Sequence, residues 1–386
     1  MENVEVERAG AMALNRIFGD TPRISRAIVE GLGGAAAAFS LGTEDLRDIF
    51  GPGIRGIDRI NKDTLEQSVE ELARLESSGV KYICILEDAY PKALKECDDA
   101  PVGLYCRSSS PPESVFGRTP CISVVGTRDM SSYGKEWCER IVATLAGAPV
   151  KPVIVSGLAI GVDITAQMTA LTTGIPTIGV IPTGIDEIYP RRHTVAAEKI
   201  IASEGGAIIS DFPPGTETYQ GNFLKRNRII AGMSVATILI ESRVKGGGMM
   251  TANLASGYGR DVFALPGRID DPRSGGCNVL LGRKMAEPVV SLETLCDELG
   301  LGSGTGGRKE TAEERIRRTF PEEPLCSICL HVAEAVREER GITPDMICRK
   351  TGIPFTEVSR ACWMMEGEGI LEMDLLQRCT IKSKIF

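Results

Sequence analysis

Histidine is scarce in this sequence, since His193 and His331 are the two that its 386 residues contain. No Ser-His-Asp arrangement, metal-ligand cluster or paired general acid and base can be recognised along the chain. His193 follows the segment YPRR at a predicted helix start, which favours a surface or capping role over catalysis. The sequence therefore does not indicate an enzyme.

The chain also lacks a long apolar run and an excess of positive charge. No run approaches the roughly 20 residues that a membrane span requires, and the N-terminal MENVEVERAG is acidic and without an apolar secretory core. We therefore expect a cytoplasmic protein with no membrane contact. A formal net charge of -8 argues against a general polyanion binder, although a local positive field can coexist with it. Any nucleic-acid site must be a patch.

Twelve cysteines are scattered from Cys84 to Cys379, which favours reduced thiols over a disulfide framework. The segment CSIC, residues 326–329, could supply zinc ligands together with His331, Cys348 and Cys362. A structural zinc site usually shows two close ligand pairs, and the second pair is missing here. We expect no metal and no other cofactor.

Residues 1–75 predict a small helical module of the SAM or helix-hairpin-helix type, in which glycine segments break short helices. The segments GLGG and GPGIRG could form hairpin turns that bind phosphate, but glycine at helix ends is more often a cap. Residues 301–325 are glycine-rich and then charged, which predicts a linker. Residues 326–386 give three helices and a hairpin, the order of a winged-helix domain.

Residues 76–300 alternate apolar strands with helical segments, which predicts an α/β fold with a Rossmann-like, mostly parallel sheet. The near-continuous apolar runs are typical of strands covered on both faces. The predicted strands are CISVV (121–125), PVIVS (152–156), TIGVI (177–181), AIIS (207–210), ATILIE (236–241) and DVFAL (261–265).

Glycines follow three of these strands, in the segments VVGTRD, VSGLAIGVD and KGGGMMTA. Any one of these glycines could be present simply because a tight turn requires it. Ligands of open α/β sheets bind at the carboxyl ends of the strands, where glycines let backbone N–H groups and helix N-termini face an anion. We therefore predict a phosphate-binding edge formed by Gly126, Thr127, Arg128, Ser156, Gly157, Gly161, Lys245, Gly246, Gly247 and Gly248.

The segment NFLKRNRIIAGMSVATILIE, residues 222–241, predicts a basic helix that runs into a buried strand. Residues 222–245 carry five cations and a single carboxylate, Glu241, so we expect the helix to present its cationic first turn outward. Its predicted DNA-binding residues are Phe223, Lys225, Arg226, Asn227 and Arg228. Phe223 could stack on a base, worth about 1–3 kcal/mol, or serve the core. Side chains two apart on a helix face different sides, so Arg228 could instead meet the sheet or a carboxylate.

Six motifs between residues 120 and 285 together resemble the DprA/Smf family, the DNA-processing proteins of bacterial transformation. They are SVVGTRDMSSYG, VSGLAIGVDITAQMTAL, TIGVIPTGIDEIYPRRH, SDFPPGT, FLKRNRIIAGMS and GRDVFALPGRI. The resemblance implies a homodimer that binds single-stranded DNA without sequence preference and loads a RecA-type recombinase during DNA uptake and homologous recombination. The chain departs from the family pattern at Gln167, usually His, at Asp211, usually Glu, and at residues 246–248, usually Ser-Gly-Ser.

Two other interpretations remain open. Rossmann-like phosphoribohydrolases bind nucleotides through PGGxGTxxE, which the segments PPGTET and KGGGMMTA approach without reproducing its carboxylate. The winged helix could instead read duplex DNA. Its predicted recognition helix sets Arg360 against three glutamates, a poor balance for a major groove, so we expect a protein contact there, with ACWMM on the contact or in the domain's own core.

Overall fold

A computed structural model describes residues 3–117, 120–302, 312–339, 341–374 and 377–381. The chain divides into two compact units, Met1–Ser303 and Gly304–Phe386. Most of the predicted linker's glycine-rich part, residues 303–311, lies outside the described residues. Within the described ranges, no helix is both long enough and apolar enough to cross a membrane.

Four α-helices begin the first unit, as the sequence pattern predicts. They are α1 (Asn3–Phe18), α2 (Pro22–Leu32), α3 (Thr43–Phe50) and α4 (Lys62–Ser77), with 3-10 turns at Ala36–Ser40 and Ile57–Arg59. The glycine segments end helices: Gly33 follows α2 with φ 70° and Gly51 follows α3 with φ 102°, conformations that favour glycine. These glycines are helix caps, which the sequence analysis favoured over phosphate-binding hairpin turns.

A nine-stranded sheet forms the centre of the first unit. Its strands are β1 (Val80–Cys84), β2 (Gly103–Arg107), β3 (Cys121–Val125), β4 (Val153–Ser156), β5 (Thr177–Val180), β6 (Ala207–Ser210), β7 (Ala236–Leu239), β8 (Asp261–Ala264) and β9 (Glu287–Pro288). Their order is β1-β2-β6-β5-β4-β3-β7-β8-β9. Only β2 runs against its neighbours, so the sheet is mostly parallel. All six predicted strands are present, whereas β1, β2 and β9 were not expected.

Helices cover both faces of this sheet. They are α5 (Lys92–Lys95), α6 (Pro112–Phe116), α7 (Ser132–Ala146), α8 (Val162–Thr172), α9 (Thr194–Ala202), α10 (Gln220–Met233), α11 (Gly247–Gly257), α12 (Gly275–Gly282) and α13 (Leu292–Glu298), with a 3-10 turn at Arg191–His193. Side chains of β3 alternate between two apolar cores: Ile122 and Val124 join α7, α8 and α13, while Cys121 and Val125 join the opposite core. The opposite core includes α1, α4, α10 and α11.

The strand order reverses at β3. The chain proceeds from β3 through β4, β5 and β6 on one side, and then returns to place β7, β8 and β9 on the other. Connections that leave in opposite directions open a crevice at the carboxyl ends of β3 and β7, the usual ligand position in Rossmann-like sheets.

The second unit contains α14 (Ala312–Thr319), α15 (Leu325–Glu338), α16 (Pro344–Thr351), α17 (Phe355–Gly367) and a hairpin of β10 (Leu371–Met373) and β11 (Cys379–Ile381). Its core buries Cys326, Cys329, Cys362 and Cys379 among apolar side chains. The cysteines of the CSIC segment thus act as small core residues. Trp363 is 68% exposed, so the ACWMM segment is divided between core and surface.

Candidate nucleic-acid interface

A cavity of about 700 Å³ occupies the crevice between β3 and β7. Residues from the ends of both strands, from α10, from the start of α11 and from the β4–α8 connection line it. The predicted site residues among them are Gly126, Thr127, Arg128, Phe223, Arg226, Asn227, Lys245, Gly246, Gly247 and Gly248. Most of the residues predicted from separate motifs therefore share one cavity.

The N-terminus of α11 forms one wall of this cavity. Gly246 precedes the helix, and no side chain among the residues that the structure describes caps it, so the first backbone N–H groups of this 11-residue helix are directed toward the crevice. Gly248 lies against Gly126, where an added Cβ would be 3.1 Å from the Gly126 Cα and 2.7 Å from Leu239 Cδ1. This close approach brings the positive end of the helix dipole to the carboxyl end of β3.

Arg226 provides a buried positive charge at the base of the cavity. Its side chain is 4% exposed, and its Nη1 lies 4.0 Å from Oδ2 of Asp163. Its Nε has no hydrogen-bond partner among the described residues. Burial lowers the pKa of Arg226 to about 10, so the guanidinium remains charged at neutral pH. Because a buried cation requires compensation, this arrangement suits a second anion.

Asp163 is the carboxylate on the same wall, at the start of α8. Its Oδ2 accepts a hydrogen bond from the Gly157 N–H at 3.1 Å. Burial raises the pKa of Asp163, while the nearby Arg226 and the hydrogen bonds from Gly157 and Ala159 lower it. Gly157 has to be glycine here, since an added Cβ would lie 1.4 Å from Nη1 of Arg226.

Phe223 lies between a cation and a second aromatic ring. The guanidinium carbon of Arg128 is 4.8 Å from the centre of the Phe223 ring, and the Tyr189 ring meets it edge-on at 5.4 Å. Together with Arg226 these side chains line a small side cavity of about 30 Å³. One face of Phe223 is therefore covered by Arg128 in this conformation, which is a cation–π contact.

Glu241, the one carboxylate of the basic segment, does not enter the cavity. Its backbone oxygen accepts from the Thr127 N–H at 2.7 Å, and its carboxylate accepts from the Ser131 N–H at 2.9 Å. Ser131 in turn caps α7 by accepting from the Gly134 N–H. Glu241 therefore fixes the loop that carries Arg128. Gly161 supports the same loop at φ 86°, since an added Cβ would lie 2.3 Å from the Thr127 carbonyl oxygen.

Five predicted residues do not line this cavity: Gly157 lines the side cavity, Gly161 supports the Arg128 loop, and Ser156, Lys225 and Arg228 lie elsewhere. Lys225 forms an ion pair with Asp20, and the Ser156 hydroxyl donates to the Val124 carbonyl at 2.7 Å. Arg228 is buried in an ion pair with Asp211 at 2.5 Å, so the expectation of a neighbouring carboxylate is confirmed.

The expected outward cationic first turn of α10 is wrong. The helix begins at Gln220, two turns before Arg228, and Arg226 and Arg228 are both buried. Sequence reasoning also missed Tyr189, which lines the side cavity beside Phe223. Tyr189 lies in an irregular segment between β5 and α9, where no periodicity indicates which side chains face a cavity.

A Rossmann-like sheet with a helix N-terminus and a buried arginine at its strand-order reversal defines a protein of the α/β class with a cavity suited to anions. The sequence profile of DNA recombination-mediator protein A matches residues 81–300. The chain belongs to this family, as its motifs indicated. It is 38% identical over 197 residues to DNA processing protein DprA of Streptococcus pneumoniae, covering 51% of this chain and 67% of that protein. It is 37% identical to Protein Smf of Synechocystis, of which it spans about half, 52%.

Solved structures of related proteins show the same fold. DNA processing protein A from S. pneumoniae superposes with a TM-score of 0.60 at 30% identity, covering 77% of this chain and 97% of that one. DNA processing protein A from Helicobacter pylori, described by its single-stranded DNA binding mode, matches with a TM-score of 0.50 at 33% identity, covering 56% and 95%.

Proposed function

We propose that the cavity binds the phosphates of single-stranded DNA and that the protein acts as a mediator of DNA recombination. The observation that carries this proposal is the buried Arg226 guanidinium, whose Nε lacks a partner in the described part of the chain. A phosphate placed beside it would receive charge-assisted hydrogen bonds and also face the N-terminus of α11. Family membership and the single-stranded DNA binding of the H. pylori relative support the same ligand.

The remaining cavity residues suit a chain of phosphates with unpaired bases. Arg128 and Lys245 are exposed cations that line the cavity, and Asn227 offers a side-chain amide there. When Arg128 moves from the Phe223 ring to a phosphate, the ring becomes free to stack on a base. Contacts of this kind do not read base edges, so binding is independent of sequence.

The first test compares single-stranded and duplex oligonucleotides of mixed sequence across a range of salt concentrations. We expect micromolar or tighter binding to single strands, weaker binding to duplex, and an affinity that falls as salt rises because counterions are released. Equal affinity for both forms, or an affinity independent of salt, contradicts the proposal.

The recombination role extends beyond this cavity. We infer that the protein acts in the cytoplasm as a homodimer and loads a RecA-type recombinase on single-stranded DNA, during DNA uptake and homologous recombination. The helix order and hairpin of the second unit support a winged-helix domain, and α1–α4 support a SAM or helix-hairpin-helix module at residues 1–75. Sedimentation of the purified protein tests the dimer, and recombinase filament formation with and without the protein tests loading.

Catalysis is not part of the proposal. Among the described residues that line the cavity, Asp163 is the one carboxylate, and backbone N–H groups and Arg226 already engage it. A carboxylate that acts as a general base has to be free to reach the proton it removes from the substrate. Release of free base from nucleoside monophosphates would instead support the phosphoribohydrolase alternative.

A further inference from the structure

Leu158 adopts a backbone conformation that its side chain disfavours. It is the second residue after β4, in the loop that leads to α8, with φ 56° and a fully buried side chain. Left-handed backbone at a branched, non-glycine residue is uncommon and persists where the surroundings hold it. Neighbouring groups must therefore hold the backbone of Leu158 in this conformation.

Two side chains bind the two backbone groups of Leu158. Oε1 of Gln167, on α8, accepts a hydrogen bond from the Leu158 N–H at 3.1 Å. Nδ1 of His193 lies 2.7 Å from the Leu158 carbonyl oxygen, which can only accept, so Nδ1 carries the proton. Nε2 of Gln167 also donates to the Ile178 carbonyl on β5 at 3.2 Å. Gln167 thus ties the loop to the neighbouring strand.

The loop that these residues hold is a wall of the proposed site. Gly157, Ala159 and Ile160 line the side cavity together with Arg226. Gly157 lies so close to the Arg226 guanidinium that no side chain would fit between them. A change in the backbone at Leu158 would therefore displace Gly157 and alter the position of Arg226.

We propose that Gln167 and His193 are positioning residues of the DNA site, which fix the Gly157–Gly161 loop against Arg226. This inference rests on the proposed function of the cavity. The Gln167 amide suits the role because it combines one acceptor for the Leu158 N–H with a donor for Ile178. Neither side chain lines the cavity, so neither contacts phosphate.

The test uses the full chain at pH 8 and compares Gln167→Leu, Gln167→His and His193→Ala with the parent. Affinity for a single-stranded oligonucleotide is measured across salt, and hydrogen exchange is followed in the peptide that contains Leu158. Gln67→Leu, at an exposed position of α4, and His331→Ala, in the second unit, are the matched controls.

We expect Gln167→Leu and His193→Ala to speed exchange in this peptide and to weaken binding about two- to tenfold, the equivalent of one ordinary hydrogen bond. The salt slope stays unchanged because no phosphate contact is lost. Gln167→His should retain parental exchange and affinity, since a neutral imidazole also has one donor and one acceptor. Position 167 is fully buried, so Gln167→Leu could fail to fold, and His193→Ala then provides the same test.

Parental affinity in variants with faster exchange overturns the positioning role, and so does a change in salt slope equal to that of Arg226→Ala. Unchanged exchange in both loss variants shows that other groups hold the loop. Failure of Gln167→His to restore binding shows that packing, rather than hydrogen bonding, is what Gln167 provides. If the parent itself does not bind single-stranded DNA, the proposed function fails, while hydrogen exchange still decides whether the two side chains hold Leu158.

Discussion

The three cations of α10 have three different surroundings, although they lie within four residues. Lys225 pairs with Asp20 at the surface, and Arg226 lines the cavity with an Nε that has no hydrogen-bond partner in the described ranges. Arg228 is bound by the Asp211 carboxylate and the Asp99 carbonyl. A helix rotates by about 100° per residue, so neighbouring side chains face different parts of the fold. We therefore expect Arg226 to contribute to DNA binding and Arg228 to contribute to stability.

Arg226→Ala and Arg128→Ala should each weaken single-stranded DNA binding without unfolding the protein. Each substitution removes about one phosphate contact, so the salt slope should fall by roughly 0.7. The Arg226 guanidinium lies 4.0 Å from the buried Asp163 carboxylate, which keeps its backbone hydrogen bonds when Arg226 is removed, so we expect a smaller loss of stability than at Arg228. Salt titrations of both variants, with the exposed Arg23→Ala as control, measure the effect. Parental affinity and slope in both folded variants would show that these cations are structural.

Arg228→Ala should mainly lower stability. The substitution leaves the Asp211 carboxylate buried without its cation, which typically lowers the free energy of unfolding by about 3–5 kcal/mol. Denaturant unfolding of the variant measures this loss. The double variant Arg228→Met with Asp211→Leu should recover most of it, because an apolar pair leaves no buried charge. A stable Arg228→Ala variant with weakened DNA binding would place Arg228 in the site.

At the scale of elements, the packing of α11 against β3 and β7 determines which glycines can change. A Cβ at Gly246 would lie 2.4 Å from Ser242 Oγ and 3.0 Å from the Arg243 carbonyl oxygen. Gly248 is similarly restricted by Leu239 and Gly126, whereas nothing lies within 4 Å of a Cβ at Gly247. The serines that the family usually carries at 246 and 248 therefore fit this packing only if the neighbouring atoms shift.

Gly248→Ser should weaken single-stranded DNA binding and lower stability by about 1–3 kcal/mol, the usual range for overpacking. The added hydroxymethyl group moves the N-terminus of α11 away from the carboxyl end of β3, which widens the anion site. Gly247→Ser is the matched control and should retain parental stability. Oligonucleotide affinity and thermal unfolding of both variants measure the difference. A Gly248→Ser variant that binds more tightly would show that a hydroxyl contact outweighs the displacement.

The sequence indicated the central strands because each is an apolar run covered on both faces. It did not indicate β1, β2 and β9, where Lys81 interrupts β1, a glycine begins β2, and β9 has two residues. The burial of Arg226 could not be deduced either. Residues Asn222 and Arg226–Met233 of α10 are buried on nearly all sides, and no helical periodicity distinguishes the cationic positions from an exposed face.

At the scale of the whole molecule, the N-terminal helices and the sheet are one packing unit. Met12 and Leu14 of α1 join the core that contains Ile209 of β6 and Ile229 of α10. Asn15 also donates to the Asp211 carbonyl at 2.6 Å. The helices of residues 1–75 therefore support the strand edge from which α10 emerges, in addition to any role of their own.

Deletion of residues 304–386 should leave a folded protein that binds single-stranded DNA with nearly parental affinity. Every residue that lines the cavity belongs to the first unit, and both apolar cores of that unit end before residue 303. The truncation must keep Leu301, because this side chain is fully buried and its carbonyl accepts from the Val150 N–H at 3.1 Å. Circular dichroism and oligonucleotide binding of the truncated chain measure both properties.

Deletion of residues 1–75 is the matched comparison, because it removes a segment of similar length. It would expose the apolar side chains of β1 and β2 that α1 and α4 cover, so we expect an unfolded or aggregated product. The deletion of residues 304–386 also tests the location of the site. If this truncated chain is folded but loses all binding, while the full chain binds in a salt-dependent manner, the phosphate contacts lie in the second unit. The cavity between β3 and β7 is then not the DNA site.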